Sequence, residues 1–230
     1  SIRSKKDSVI SIFTSPFIRC VETACEIYDV LTEVEGVDAQ LVNIYVDKGL
    51  CEFLKKDWFC DELRKIGSSK IEDLFLTAHE LQKMMHVKNG KQYSLKEHSL
   101  LPSNYQLEFE KGKNEKVERF SVMANSIIDQ AYRNFDVDVR EMENATDAIF
   151  IRHAGVLNGI TQNILSLAGI ERDKRNIGPI SYAHHCQMRY NYLLSNLDIV
   201  TPFTAPTHIT EGQNWNDNVV GELENLRGED

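Results

Sequence analysis

The sequence has no long uninterrupted apolar stretch. Its longest apolar run falls far short of the roughly 18 residues that a helix needs to span a bilayer. Residues 1–7 are too polar for the hydrophobic part of a secretory signal. We therefore expect a cytoplasmic protein with no membrane partner.

Basic residues are in short supply. The chain has 26 Lys and Arg against 35 Asp and Glu, a formal net charge of −9. Proteins that bind nucleic acids normally present a concentrated basic face. We therefore expect no nucleic-acid partner, although a local basic pocket for a small anion is compatible with this charge.

The cysteines form no regular framework. They are odd in number and lack any Cys-x-x-Cys spacing, being Cys20, Cys25, Cys51, Cys60 and Cys186. Disulfide bonds and a structural zinc site are therefore not expected, and a reducing compartment is the simpler inference. No metal ion or other cofactor is predicted.

The first quarter of the chain predicts an α/β unit. A length of 230 residues with 42% hydrophobic content suits one well-filled core, so residues 1–230 are interpreted as a single domain. Residues 9–13 (VISIF) are typical of a strand buried on both faces. Apolar residues at helical spacing follow up to Leu31, and residues 41–46 (LVNIYV) predict the next strand.

Residues 61–116 show no regular apolar pattern. Glycine stands next to polar residues at several points, and Pro102 interrupts the remaining sequence. We predict a helical and looped insertion there that covers one end of the sheet. Order returns at residues 117–135, whose apolar spacing predicts a long amphipathic helix. Residues 148–151 predict another buried strand, and residues 156–167 predict a helix that stops at Gly169.

Alternation over residues 186–192 predicts an antiparallel strand, and the prolines after residue 201 are expected to interrupt any regular pattern.

Two of the predicted loops follow buried strands and open helices. Ligands of open α/β sheets bind at such carboxyl ends of strands. In the first loop Arg19 lies at a helix start, where backbone N–H groups and the helix dipole favour an anion. Its planar guanidinium can bind two phosphate oxygens. His153 holds the equivalent place in the second loop and can donate to a phosphate oxygen.

Three segments of the chain carry a resemblance. Residues 15–24 (SPFIRCVETA) resemble the S-P-x-x-R-C-x-x-T-A signature of the histidine phosphatase superfamily, which has the phosphoglycerate-mutase-like fold. Residues 46–53 (VDKGLCEF) are similar to the E-P-G-L-x-E-W segment of its eukaryotic branch of T-cell ubiquitin-ligand phosphatases. Residues 153–157 (HAGVL) resemble the second-histidine motif of that branch.

The resemblance implies a fold and a set of roles. It implies a three-layer α/β structure in which a phosphoglycerate-mutase-like sheet is flanked by helices. Arg19 and His153 would hold the phosphoryl group, and His153 would also stabilise charge on its equatorial oxygens. Glu52 would be a candidate proton donor to the leaving oxygen. The implied partner is a phosphorylated small molecule or a phosphoprotein.

The sequence departs from the family at the nucleophile. That nucleophile is a histidine in an Arg-His-Gly or Arg-His-Ala motif on the family's first strand, and no histidine precedes Arg19 here. We therefore expect the domain to be N-terminally incomplete, lacking the first strand and helix. Because a phosphohistidine cannot form without that side chain, the polypeptide is expected to be a poor phosphatase or none.

Several interpretations stay open. A shortened isoform or gene model of a phosphatase or phosphomutase explains the departure, and so does a pseudophosphatase that binds phosphate or a phosphoprotein without turnover. A permuted enzyme would use His153 as nucleophile, since residues 152–154 spell Arg-His-Ala. If these residues have no binding role, Arg19 forms a surface ion pair with Glu22 or Glu26, and Glu52 is solvated.

Overall fold

A computed structural model of the chain describes residues 9–109, 118–133, 147–152, 154–170, 185–191 and 196–204. The strands in these residues are β1 Ile10–Thr14, β2 Val42–Asp47, β3 Leu95–His98, β4 Asp147–Ile151, β5 His185–Asn191 and β6 Asn196–Thr204. The helices are α1 Ile18–Glu33, α2 Lys56–Lys65, α3 Ala78–Asn89, α4 Glu118–Arg133 and α5 Ala154–Leu167.

Four of the strands form one parallel sheet with the order β3-β2-β1-β4. The register places Thr14 beside Val46 on one side and beside Ile151 on the other. Asp47 is likewise paired with His98. The carboxyl ends of all four strands therefore meet at one edge of the sheet, and the expected α/β class is confirmed.

One face of this sheet is aliphatic. Small and β-branched side chains from alternate positions of β1 and β2 are buried there, including Ile12 and Ile44 at 0% and 1% exposure. Helices α1 and α3 cover them and add buried Val21, Leu81 and Met85. We call this side, with α1 and α3, the aliphatic face.

The start and end of α3 show why the sequence folds into a helix here. Thr77 and Glu80 form a capping box that satisfies backbone N–H groups of the first turn. The Glu97 carboxylate of β3 accepts a further hydrogen bond from the Ala78 N–H at 2.6 Å. Gly90 ends the helix in the left-handed region at φ 67°, which a side chain would strain.

The opposite face is aromatic. Phe13 of β1 stacks between Tyr45 and Phe150, with ring centroids 5.2 Å and 5.1 Å away. Helices α4 and α5 pack against this side. They approach closely because α5 has Gly159 beneath the Phe120 ring, where a Cβ atom would lie 2.2 Å from a ring carbon. We call this side, with α4 and α5, the aromatic face.

The sequence patterns located most of these elements to within a few residues. Helices α2 and α3 and strands β3 and β6 were not located individually, and β3 lies inside the stretch 61–116, which predicted mostly helix and loop. Of its four residues only Leu95 is buried, so it shows no alternation to detect. The expectation that the prolines after residue 201 interrupt any regular pattern is wrong at Pro202, because β6 continues to Thr204. In the described residues β5 and β6 form a two-stranded sheet, and a proline is tolerated on an edge strand. The expected stop of α5 at Gly169 is confirmed by its φ of 73°.

Strands β5 and β6 pair antiparallel as a separate sheet. The antiparallel strand expected over residues 186–192 is thereby observed as β5. Across the described parts of the chain, no helix is both long and apolar enough to span a bilayer.

Candidate functional site

Arg19 lies in the first turn of α1, directly after the carboxyl end of β1. The short link between strand and helix is fixed because Ser15 donates its backbone N–H to the Ile151 carbonyl at 3.0 Å. The side chain of Arg19 is 37% exposed, and its guanidinium carbon lies 5.2 Å from the centre of the Phe17 ring. The ring thus supports a cation at the edge of the sheet where ligands bind.

Glu52 approaches Arg19 from the loop that follows β2. The distance between Arg19 Nη2 and Glu52 Oε2 is 4.0 Å, and the Glu52 side chain is 21% exposed. Its other oxygen accepts a hydrogen bond from the Phe53 N–H at 3.1 Å. The structure therefore brings together two of the three residues singled out in the sequence. Glu22, the alternative partner of Arg19, pairs instead with Lys88 of α3.

His153 lies outside the residues that the structure describes. The strand that leads to it is described, and β4 ends at Ile151 in register with Thr14. Arg152 follows, half-buried, with its guanidinium carbon 5.6 Å from the centre of the Phe150 ring. Arg152 therefore lies at the same edge of the sheet as the loop that leads to Arg19.

The sequence alone did not single out the buried carboxylate at the end of β2. Asp47 is 0% exposed and accepts hydrogen bonds from the backbone N–H groups of Gly49 at 2.8 Å and Leu100 at 2.6 Å. His98 Nδ1 lies 3.1 Å from the same carboxylate. This group ties the loop after β2 to the loop after β3. Its sequence signal was an aspartate two residues before a glycine, the pattern of an Asx turn.

Gly49 is closely packed. A Cβ atom on it would lie 3.0 Å from Asp47 Oδ1 and 3.0 Å from the Met123 sulfur. A larger residue would therefore require these side-chain atoms to shift by a few tenths of an ångström.

A buried guanidinium was also missed. Arg119 of α4 is 2% exposed and donates to the backbone carbonyls of Gly49, Cys51 and Glu52. In the sequence it was one charged residue on an amphipathic helix, and such residues are usually solvated. Only the path of the loop shows that it faces the core.

Aromatic side chains of α2 form a rim beside Arg19. Phe59 lies 6.4 Å from Phe17, and the half-exposed Trp58 lies 6.4 Å from Phe59, both edge to face. Lys55 places its ammonium 4.2 Å from the centre of the Trp58 ring. The rim therefore extends from Phe17, the ring against which Arg19 lies, to the ammonium of Lys55.

No protein-family model matches the chain, and no curated protein matches it with significant similarity. The roles of Arg19 and Glu52 therefore depend on their own geometry and chemistry. Within the described ranges, three or more His, Cys, Asp or Glu side chains are nowhere grouped so that they could hold a metal ion.

Proposed function

We propose that this domain binds a phosphoryl group at the carboxyl edge of its parallel sheet, through Arg19 and His153. The observation that supports the proposal is the guanidinium of Arg19 at the start of α1, 4.0 Å from the Glu52 carboxylate. A helix N-terminus and a guanidinium both favour an anion. The phosphoglycerate-mutase-like arrangement of the domain is part of the same proposal.

The interaction of Arg19 with Glu52 is weak compared with the one expected for phosphate. At 4.0 Å the Arg19 and Glu52 atoms are too far apart for a good hydrogen bond, and a pair this exposed contributes at most about 1 kcal/mol. A phosphoryl group that accepts two charge-assisted hydrogen bonds from the guanidinium contributes about 1.5–3 kcal/mol for each. A phosphoryl group would therefore bind Arg19 more strongly than the Glu52 carboxylate does.

Glu52 would then be the acid of the site. In a phosphatase or phosphomutase reaction it would protonate the leaving oxygen, while His153 would stabilise the charge on the equatorial oxygens. That reaction also needs a nucleophile, and no histidine precedes Arg19 in the sequence. We therefore propose that the 230-residue polypeptide binds a phosphorylated small molecule or phosphoprotein with little or no turnover.

Phosphate binding tests the proposal directly. Titration calorimetry with inorganic phosphate is expected to show binding to the wild type and a 10- to 100-fold weaker affinity for Arg19→Ala, since charge-assisted hydrogen bonds are lost. Arg64→Ala is the matched control, because Arg64 is exposed on α2 and pairs with Asp61 at 2.8 Å. Equal affinity of the Arg19→Ala and Arg64→Ala variants would contradict the proposal.

Turnover separates the binding module from an enzyme. Against an aryl phosphate at mildly acidic pH, the wild type is expected to hydrolyse no faster than Arg19→Ala. Hydrolysis that requires both Arg19 and His153 would instead identify a permuted enzyme with His153 as nucleophile.

A further inference from the structure

One buried guanidinium holds three carbonyl oxygens of the loop that carries Glu52. Arg119 Nη1 donates to the carbonyls of Gly49 at 3.0 Å and Cys51 at 3.1 Å, and Nη2 donates to the carbonyl of Glu52 at 3.2 Å. The Cys51 sulfur lies 2.7 Å from the same Nη1. The planar guanidinium of Arg119 therefore fixes the backbone on both sides of residue 50.

A buried carboxylate fixes the same loop from its other side. The N–H of Gly49 donates to Asp47 at 2.8 Å, while the carbonyl of Gly49 accepts from Arg119. Asp47 and Arg119 are 0% and 2% exposed, respectively. A buried charge persists only where hydrogen bonds replace its lost hydration. The loop conformation is therefore defined by two opposite charges that the backbone of Gly49 connects.

We infer that Arg119 is a positioning residue for Glu52. By fixing the Glu52 carbonyl and two carbonyls before it, Arg119 sets the point from which the Glu52 side chain comes to 4.0 Å from Arg19. The inference rests on the proposed function, because the place of Glu52 matters to a phosphoryl group only if Arg19 binds one. A lysine would keep the charge but not the planar fork.

A double-mutant cycle tests whether Arg119 acts through Glu52. The dissociation constant for inorganic phosphate is measured for wild type, Glu52→Gln, Arg119→Lys and the double variant. In its ionised form, without the proton that it would carry as the acid, a carboxylate 4.0 Å from Arg19 repels the phosphate dianion, so under those conditions Glu52→Gln is expected to tighten binding about five-fold. In the Arg119→Lys background the same change is expected to alter binding less than about two-fold. An equal factor in both backgrounds would overturn the inference.

Hydrogen exchange tests the same inference without any ligand. Arg119→Lys is expected to speed exchange of the amides in residues 49–53 while leaving α4 and α5 protected. Ile160→Ala is the control, since it removes a fully buried apolar side chain of α5 and is expected to weaken protection of the core generally. Unchanged exchange at residues 49–53 in Arg119→Lys would overturn the positioning role.

The two measurements separate the two hypotheses. If phosphate does not bind the wild type, the proposed function fails, and hydrogen exchange alone decides whether Arg119 holds the loop. If phosphate binds but the cycle shows no coupling, the function stands and the positioning role fails. Should Arg119→Lys not fold, Arg119→Gln, which keeps two N–H donors without the charge, is measured in its place.

Discussion

Charged side chains differ in their burial on the two faces of the parallel sheet. On the aliphatic face the charged groups keep contact with solvent, as in the pair of the exposed Lys91 with the partly buried Asp29 at 2.7 Å. On the aromatic face Asp47 and Arg119 are buried within the core. Buried charge costs free energy unless hydrogen bonds replace its hydration. The aliphatic face therefore contributes to stability. The aromatic face also holds the loop of Glu52 in place, at a cost in free energy.

Asp47→Asn is expected to produce the largest effect on the aromatic face. It removes a buried charge that accepts two backbone hydrogen bonds and turns one of its oxygens into a donor, so unfolding free energy should fall by about 4 kcal/mol. Urea unfolding measures the loss. Asp38→Asn is the matched control, because Asp38 also accepts from a backbone N–H, at 2.8 Å, but is exposed. Similar losses in both variants would remove the distinction between the faces.

Leu81→Ala probes the aliphatic face. Leu81 of α3 is 0% exposed, so the cavity left behind is expected to cost about 3 kcal/mol in urea unfolding. The affinity for inorganic phosphate should stay unchanged, because α3 supplies no residue to the site. A several-fold change in that affinity would show that the two faces are not separable.

Alkaline pH tests the aliphatic face through Cys25. Burial raises the pKa of its thiol from 9.0 to about 12, and the carboxylates of Asp29, Glu26 and Glu22 add to this effect. Since the folded pKa exceeds the unfolded one, this contribution to stability is complete below pH 9 and is lost as pH rises towards 12. The expected loss is on the order of 1 kcal/mol by pH 10.

Urea unfolding at pH 8 to 10.5 measures this decline. Cys25→Ala is the control, and its stability should fall less steeply with pH. Some decline should remain, because burial also raises the pKa of Tyr93. An identical slope in both proteins would contradict the assignment to Cys25.

Thr161→Val is expected to give the smallest effect and to raise stability. Thr161 of α5 is 1% exposed, and its hydroxyl makes no hydrogen bond in the described part of the chain. Replacing a buried, unsatisfied hydroxyl by a methyl group should add about 1 kcal/mol to the free energy of unfolding. A loss of stability on urea unfolding would show that the hydroxyl has a partner, such as a buried water.

The sequence predicted the elements that bury apolar residues periodically. Strands β1, β2 and β4 are short apolar runs, and α4 shows a helical stripe, so local pattern sufficed for each. Strand β3 could not be found in this way, because Lys96 and Glu97 are exposed and its place is set by pairing with β2. Pairing between distant segments leaves no local signal.

The site was predictable only in part. Arg19 and Glu52 could be singled out as candidates because each sits in a motif after a buried strand, and their side chains lie 4.0 Å apart. Asp47, His98 and Arg119 were missed because their roles come from contacts with residues about 50 to 70 positions away along the chain. A charged residue in a helix looks the same in sequence whether it faces solvent or a carbonyl.

The most direct test of the central claim is a crystal soaked in tungstate, a phosphate analogue whose heavy atom is located by anomalous scattering. Phosphoryl binding by Arg19 predicts one strong site within hydrogen-bonding distance of the Arg19 guanidinium, at the start of α1 and beside residue 153. Tungstate bound only elsewhere, with Arg19 still against Glu52, would contradict the claim that this edge of the sheet holds a phosphoryl group.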